Sequence, residues 1–280
     1  MIDMDGLDKE YLRKYIWGRG KETHKHEFGH ALLVCGCETM PGAAVLAAGA
    51  ALKSGCGLVT LHSTRIAATA AMCQFPSAML SIDPQHAFST VPSNLEKYTC
   101  IGVGPGLGMR PETVAALTEL LRKAGSIPMV LDADALNIIA SEPALLDSVP
   151  KGSVLTPHLG ELKRLIPSWT EDRDDLISQF CMEHETVLVK KGYHTHVFTP
   201  EGEVLENTTG NPGMAKGGSG DVLTGLVTGL VARGYAPLTA ACMGVWIHGY
   251  AGDCLTEEYT AEAYNSRDLI DYLYKGFKVL

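Results

Sequence analysis

The stretch Asn211-Pro-Gly-Met-Ala-Lys-Gly-Gly-Ser-Gly-Asp221 gathers four glycines, a lysine and an aspartate directly ahead of an apolar run. Beyond it, Val222, Leu223, Leu226, Val227, Leu230 and Val231 fall at helical spacing, and Gly234 stops the pattern. This register puts Asp221 in the first turn of a helix. Backbone amides of residues 217–220 are unpaired at such a start, and with the positive end of the helix they form a site for phosphate. Glycine lets the backbone come close to phosphate oxygens where a Cβ would block it. A helix cap by Ser219 or Asp221 accounts for one polar residue, not for four glycines and a lysine. The pattern is no Walker A loop, because no Gly-Lys-Ser/Thr follows at the required spacing, and Leu223 breaks a Gly-x-Gly-x-x-Gly fit. An aspartate beside such an anion hole can take the proton of a hydroxyl as that oxygen attacks a nucleotide's terminal phosphoryl group.

Upstream of this loop, apolar strands alternate with helices. The patterning predicts strands at residues 31–35, 58–62, 100–103, 129–132 and 153–156, with helices at residues 9–17, 43–54, 112–124 and 135–140. This order implies a parallel sheet covered on both faces. Residues 186–189 and 196–199 read as two more strands flanking Lys190-Lys-Gly-Tyr-His194, with a turn at Glu201-Gly202. The last third is helical, over residues 221–233, 238–256 and 267–275. No proline-rich linker, charge block or internal repeat divides the chain, so residues 1–280 are expected to form a single domain.

Composition agrees with an ordinary soluble globular protein: 46% of the 280 residues are hydrophobic and 20% charged. The net charge of -9 argues against a general nucleic-acid or membrane-surface binder, while a local basic site for a phosphorylated small molecule remains compatible with it. The eight cysteines sit in apolar surroundings without paired CxxC spacing, as expected for buried, reduced thiols in a cytoplasmic protein. Nothing nearby completes a zinc ligand set for Cys35 and Cys37. The acidic start Met1-Ile-Asp-Met-Asp-Gly6 lacks the regions of a signal peptide, and the longest apolar run, residues 43–52, is too short to span a bilayer.

Gly217-Gly-Ser-Gly-Asp221 resembles the Gly-x-Gly-Asp signature of the ribokinase-like fold, a three-layer α/β/α sandwich around a mostly parallel central sheet. Four further segments sharpen the resemblance: Leu155-Thr-Pro-His-Leu-Gly-Glu161, Leu131-Asp-Ala-Asp-Ala-Leu-Asn137, Gly104-Pro-Gly-Leu-Gly108 and Pro41-Gly-Ala-Ala44. In this order and spacing, over about residues 25–275, the chain is similar to the NAD(P)H-hydrate dehydratases. The resemblance implies a substrate that is the S-epimer of hydrated NADH or NADPH, repaired at the expense of ADP or ATP with Mg²⁺ as cofactor. It also implies Asp221 as base, with Gly218 and Gly220 stabilising the transferring phosphoryl group.

By the same resemblance, Ala44, Gly106, His158 and Asp221 would contact the hydrated dinucleotide. Lys191, Gly192, Tyr193, His194 and Thr195, with Ala215, Gly217, Gly218, Ser219 and Gly220, would bind the nucleotide. From the residues alone, alternatives stay open. Residues 190–195 also read as a solvated basic turn, His158 as a structural histidine, and Gly104 to Gly108 as a tight turn. Glu161 either orients a Mg²⁺-bound water or caps the following helix. Asp132 and Asp134 either bind Mg²⁺ directly or serve as a capping device. The chain departs from many members at Gly36-Cys37-Glu38 and Lys25-His26, and Glu38 adds negative charge where an anionic dinucleotide is expected. The family's homotetramers are the expected assembly, and a chain of this length is expected to lack the epimerase domain that some members carry in front. A small-molecule kinase of the same superfamily and a non-catalytic nucleotide sensor are the rival readings.

Overall fold

The computed structural model describes residues 5–280, so most of the acidic start read for a leader lies outside the described residues. The first half runs β1 (Asp5–Leu7), α1 (Lys9–Arg13), β2 (His30–Val34), α2 (Pro41–Lys53), β3 (Leu58–Thr64), α3 (Arg65–Gln74), β4 (Met79–Asp83), β5 (Cys100–Val103), α4 (Pro111–Ala124) and β6 (Met129–Leu131). It continues with α5 (Ala133–Ser141), β7 (Val154–Leu155), α6 (Leu159–Leu165), α7 (Asp175–His184), β8 (Val187–Lys190), β9 (His196–Phe198) and β10 (Val204–Asn207). Three helices close the chain: α8 (Ser219–Arg233), α9 (Pro237–Glu258) and α10 (Ser266–Val279). Every strand and helix expected from the sequence is present within a few residues. The largest departures are at two helix ends: the first helix stops at Arg13 rather than at residue 17, and the last runs on to Val279 rather than 275.

The strands form one sheet in the order β1-β10-β9-β8-β7-β6-β5-β2-β3-β4. Only β9 runs against its neighbours, β8 and β10. Successive strand side chains point to opposite faces, and β2 displays this directly. Ala31, Leu33 and Cys35 join a core built with α2, α8, α9 and α10, whereas Leu32 and Val34 join a second core with α4, α5 and α7. Both faces are apolar because crossover helices cover both.

Helix α8 lies against α2 at very short range. A Cβ on Gly225 would stand 2.1 Å from the Ala47 carbonyl oxygen, and one on Gly229 2.2 Å from Ser54 Oγ. The alanine-rich sequence of α2 and the two α8 glycines therefore act together to let these backbones meet. At the far edge, β4 is flanked on one side only and leaves Met79, Leu80 and Ile82 exposed. Its last residue, Asp83, is buried and locks the loop that follows: it accepts from the amides of Gln85, Ser89 and Thr90 and from the Ser89 and Thr90 hydroxyls. His62 Nε2 lies 3.3 Å from the same carboxylate.

Seven of the eight cysteines are buried and none is disulfide-bonded. No helix among the described residues is long and apolar enough to cross a membrane.

Candidate active site

The chain leaves β2 towards β3 and β4 on one side and returns to place β5 on the other, so the carboxyl ends of β2 and β5 flank a switch point where open α/β sheets bind ligands. The loops leaving these strands meet there, the Gly36 amide donating to the Pro105 carbonyl at 2.7 Å. Helix α8 begins above them. Its N-cap, Gly218, is left-handed at φ +89°, which favours glycine, and a Cβ there would also push Leu46 Cδ1, 2.4 Å away, aside.

The Ser219 amide turns back to the Lys216 carbonyl at 3.3 Å, and Val222 is the next to bond, to the Gly218 carbonyl at 3.1 Å. Between them the amides of Gly220 and Asp221 have no acceptor among the described residues, which leaves the helix start open to an anion. Of the amides of residues 217–220 that the sequence pointed to, only that of Ser219 has an acceptor among the described residues.

Asp221 is half-buried on a cavity of about 700 Å³ and accepts no hydrogen bond among the described residues. Burial first, then the Asp132 carboxylate, pushes its carboxyl up to about 6, while Lys191 opposes the rise. The cavity brings together Lys191, Gly192, Tyr193, Thr195, Ala215, Ser219 and Gly220 from the expected nucleotide segment with His158, Glu161 and Asp221. His194 points elsewhere, its Nδ1 3.0 Å from Glu206. Gly217 and Gly218 stand behind the helix start rather than on the cavity wall, and the Gly217 carbonyl accepts from Ser266 Oγ at 2.7 Å.

Ala44 and Gly106 do not line this cavity either. Ala44 is fully buried, with Gly36 so close that a Cβ there would stand 2.8 Å from its own. Gly106 is left-handed at φ +63° and presses on Met40 and Ala43. Their residue types serve the close packing of two loops on the start of α2.

The strand-end residues have clear local roles. His158 is the N-cap of α6: its Nδ1 accepts from the amides of Gly160 (2.9 Å) and Glu161 (3.3 Å), and Glu161 returns a bond from the His158 amide at 2.9 Å. His158 Nε2 lies 3.2 Å from Glu161 Oε1. The capping reading of Glu161 is therefore correct, and the carboxylate still faces the cavity. Burial raises its pKa against the pull of Lys191.

Asp132 is fully buried; it accepts from Lys191 Nζ and from Thr224 Oγ1, both at 2.6 Å. Asp134 accepts from the Gly108 amide at 2.8 Å, tying the glycine loop to the end of β6. Between them Ala133 adopts φ +48°, a left-handed conformation costly for a residue with a side chain. Among the described residues no group of three or more His, Cys, Asp or Glu side chains is arranged to hold a metal.

The ammonium of Lys216, to which the sequence assigned no role, donates to the carbonyls of Ala261, at 2.6 Å, and Tyr264. A cavity residue was missed from sequence. His248, on α9, lines the cavity with Nε2 3.3 Å from Ser219 Oγ, and burial lowers it to about 4, so it is neutral. The signal for it was a histidine within a long apolar helix, with no motif around it. Glu38, the unusual acid, is paired with His86 at 2.9 Å.

The sequence profile of the NAD(P)H-hydrate dehydratases matches residues 31–275. The chain belongs to this family. A bifunctional NAD(P)H-hydrate repair enzyme from Moorella thermoacetica is 38% identical over 95% of the chain, and the chain spans about half, 52%, of that relative's length. An ADP-dependent (S)-NAD(P)H-hydrate dehydratase from Bacillus subtilis is 30% identical over 96% of both chains. A counterpart of that name from Neisseria meningitidis is 35% identical over 85% of this chain and 81% of its own.

Among solved structures, the ADP/ATP-dependent NAD(P)H-hydrate dehydratase of B. subtilis co-crystallised with ATP and Mg²⁺ superposes with a TM-score of 0.87 over 99% of each chain, at 28% identity. A ribokinase from Thermotoga maritima, at 10% identity and TM-score 0.53 over 89% of this chain and 99% of its own, shares the fold alone. The fold of this family member is thus ribokinase-like, as expected.

Proposed function

We propose that the protein returns the S-epimer of hydrated NADH or NADPH to the reduced dinucleotide, driven by ADP or ATP. Hydroxide is a poor leaving group. Transfer of a phosphoryl group from the nucleotide to the ring hydroxyl makes phosphate the group that departs, the lone pair of the ring nitrogen assisting, and loss of a proton from the neighbouring ring carbon then restores the double bond. The observation that carries the reading is the placement of Asp221 at the third position of α8, unpaired, on the cavity and next to two open amides. In this role Asp221 takes the hydroxyl proton, and the Gly220 and Asp221 amides stabilise charge on the transferring group.

The segment of Lys191, Gly192, Tyr193 and Thr195, with Ala215 and Ser219, would bind the nucleotide, and His158 the hydrated dinucleotide. Mg²⁺ would enter the cavity on the nucleotide and supply charge neutralisation, and the Glu161 carboxylate, which lines the cavity, would hold its water shell. Ala44, Gly106, Gly217 and Gly218 contribute by shaping the loops around these groups, and His194 by anchoring its turn to Glu206. We assign the protein to the cytoplasm as a homotetramer, an assembly supported by the exposed apolar residues Ile66, Met72, Met79, Leu80 and Ile82.

The test is incubation with chemically hydrated NADH, Mg²⁺ and either ATP or ADP, following the return of reduced-nicotinamide absorbance. No return with either nucleotide would sink the reading. Asp221→Asn is expected to retain nucleotide binding and lose turnover by about 100-fold or more; near wild-type turnover would remove Asp221 from the role of base.

A further inference from the structure

We propose that Asp132 is a positioning residue for phosphoryl transfer, aiming the Lys191 ammonium at the open face of Gly220. The inference rests on the phosphoryl-transfer reading of the site. A Cβ built on Gly220 would lie 3.2 Å from Lys191 Nζ and 3.6 Å from Asp132 Oδ2, and beyond its chain neighbours and own helix it would meet nothing else among the described residues within 4 Å. The ammonium therefore stands at the wall of the anion hole. A lysine amine has three donors. One is held by Asp132 at 2.6 Å, and the nearest other carboxylate, Glu161, is 4.0 Å away. The remaining donors are free for phosphoryl oxygens.

The carboxylate that aims this amine is itself fixed from every side. Thr224, one turn beyond Asp221 on α8, donates to Asp132 Oδ2 at 2.6 Å, so Asp132 is bound to the helix that carries the base. The Asp132 amide donates to the Val103 carbonyl at 3.2 Å, and its own carbonyl accepts from Ala135 at 3.1 Å. A Cβ on Gly104 would stand 1.8 Å from that carbonyl, which demands glycine there. A free lysine loses rotamer entropy when it is fixed. Asp132 meets that cost before the nucleotide arrives, and positioning of this kind appears in turnover more than in affinity. A buried ion pair by itself adds little net stability, so simple structural reinforcement does not account for the arrangement.

The test is a double-mutant cycle of Asp132→Asn and Lys191→Met, read on kcat for repair of hydrated NADH. Each single change is expected to lower kcat about 10- to 100-fold, with KM for the nucleotide changing about 3-fold or less. The double variant is expected within about 2-fold of Lys191→Met alone, because Asp132 acts through the lysine. Thr224→Val, which keeps the shape of the side chain, is expected to lower kcat, and Thr224→Ser to restore it. Multiplying effects in the cycle, or an unchanged kcat in Asp132→Asn and Thr224→Val, would overturn the proposal. The same cycle read on ATP affinity by calorimetry, without the second substrate, is expected to show effects of about 3-fold or less, with the double variant binding ATP as Lys191→Met alone does; additive losses there also overturn it. An enzyme that binds ATP with coupled residues yet never repairs hydrated NADH would instead refute the reaction assigned above.

Discussion

At Asp221 the position that suits catalysis is costly for folding. Its carboxyl is pushed up to about 6 by burial and by Asp132, so the folded state holds the proton more tightly than the unfolded chain does. Stability from this group is therefore full below about pH 4 and declines as pH rises through about 6. At pH 7.5 the ionised side chain costs about 1–3 kcal/mol. Asp221→Asn should accordingly raise Tm at neutral pH while it abolishes turnover, and the gain in Tm should shrink at pH 4. A base must be ionised to work, so kcat/KM in the native enzyme should rise with pH through a limb near 6. A flat profile between pH 5 and 7.5 would contradict the assignment. Asp221 was legible from the helix register alone. Its raised pKa was not, because its causes, burial first and then the carboxylates of Asp132, Asp134 and Glu161, come together only in the fold.

Elements with strong periodicity were predictable; those whose environment is mixed were not. Helix α3 begins directly at the end of β3, with Thr64 serving as cap and no glycine or proline between them, so no punctuation marks the change. Strand β4 lies at the sheet edge with four of its five residues not buried, and its sequence Met79-Leu-Ser-Ile-Asp83 lacks the alternation that betrays a half-buried strand. What holds it is a polar lock at its end. Burial opposes ionisation of Asp83, yet the bonds from His62, Ser89 and Gln85 prevail and hold its carboxyl well below the usual range. Its stabilisation is then present above about pH 4 and lost as pH falls below that value. Asp83→Ala should lower stability by about 2–4 kcal/mol in urea titrations at pH 7, since several donors lose their acceptor. The gap from wild type should narrow below about pH 4, and a gap that is unchanged at pH 3 would exclude an ionised lock.

Across the whole molecule, residues 132, 158, 191 and 221 meet at one rim because parallel strands deliver their carboxyl ends to the same side of the sheet. That convergence was legible in the order of motifs. Side-chain partnerships were not: sequence gave no partner for Lys216 or Lys191, whereas the fold ties the first to backbone carbonyls and the second to Asp132. The net charge of -9 means that anionic ligands are drawn only by local groups, the start of α8 and the Lys191 ammonium.

The contact between α2 and α8 turns the second helix into a stiff rod resting on a fulcrum. Gly229 lies eight residues from Asp221, about 12 Å along the axis. A methyl group at Gly229 would meet Ser54 Oγ at 2.2 Å and the Ala51 carbonyl at 2.9 Å, so the rod must lift off its support. An end displacement near 1 Å is enough to cost about 100-fold in rate when it carries a reacting group. Gly229→Ala should therefore lower kcat about 10-fold or more although the residue touches no ligand, and a variant with lowered Tm but native kcat would show that the rod does not transmit the tilt. Substitutions on the buried side of α2, well away from the cavity, thus become a means of steering the base by leverage.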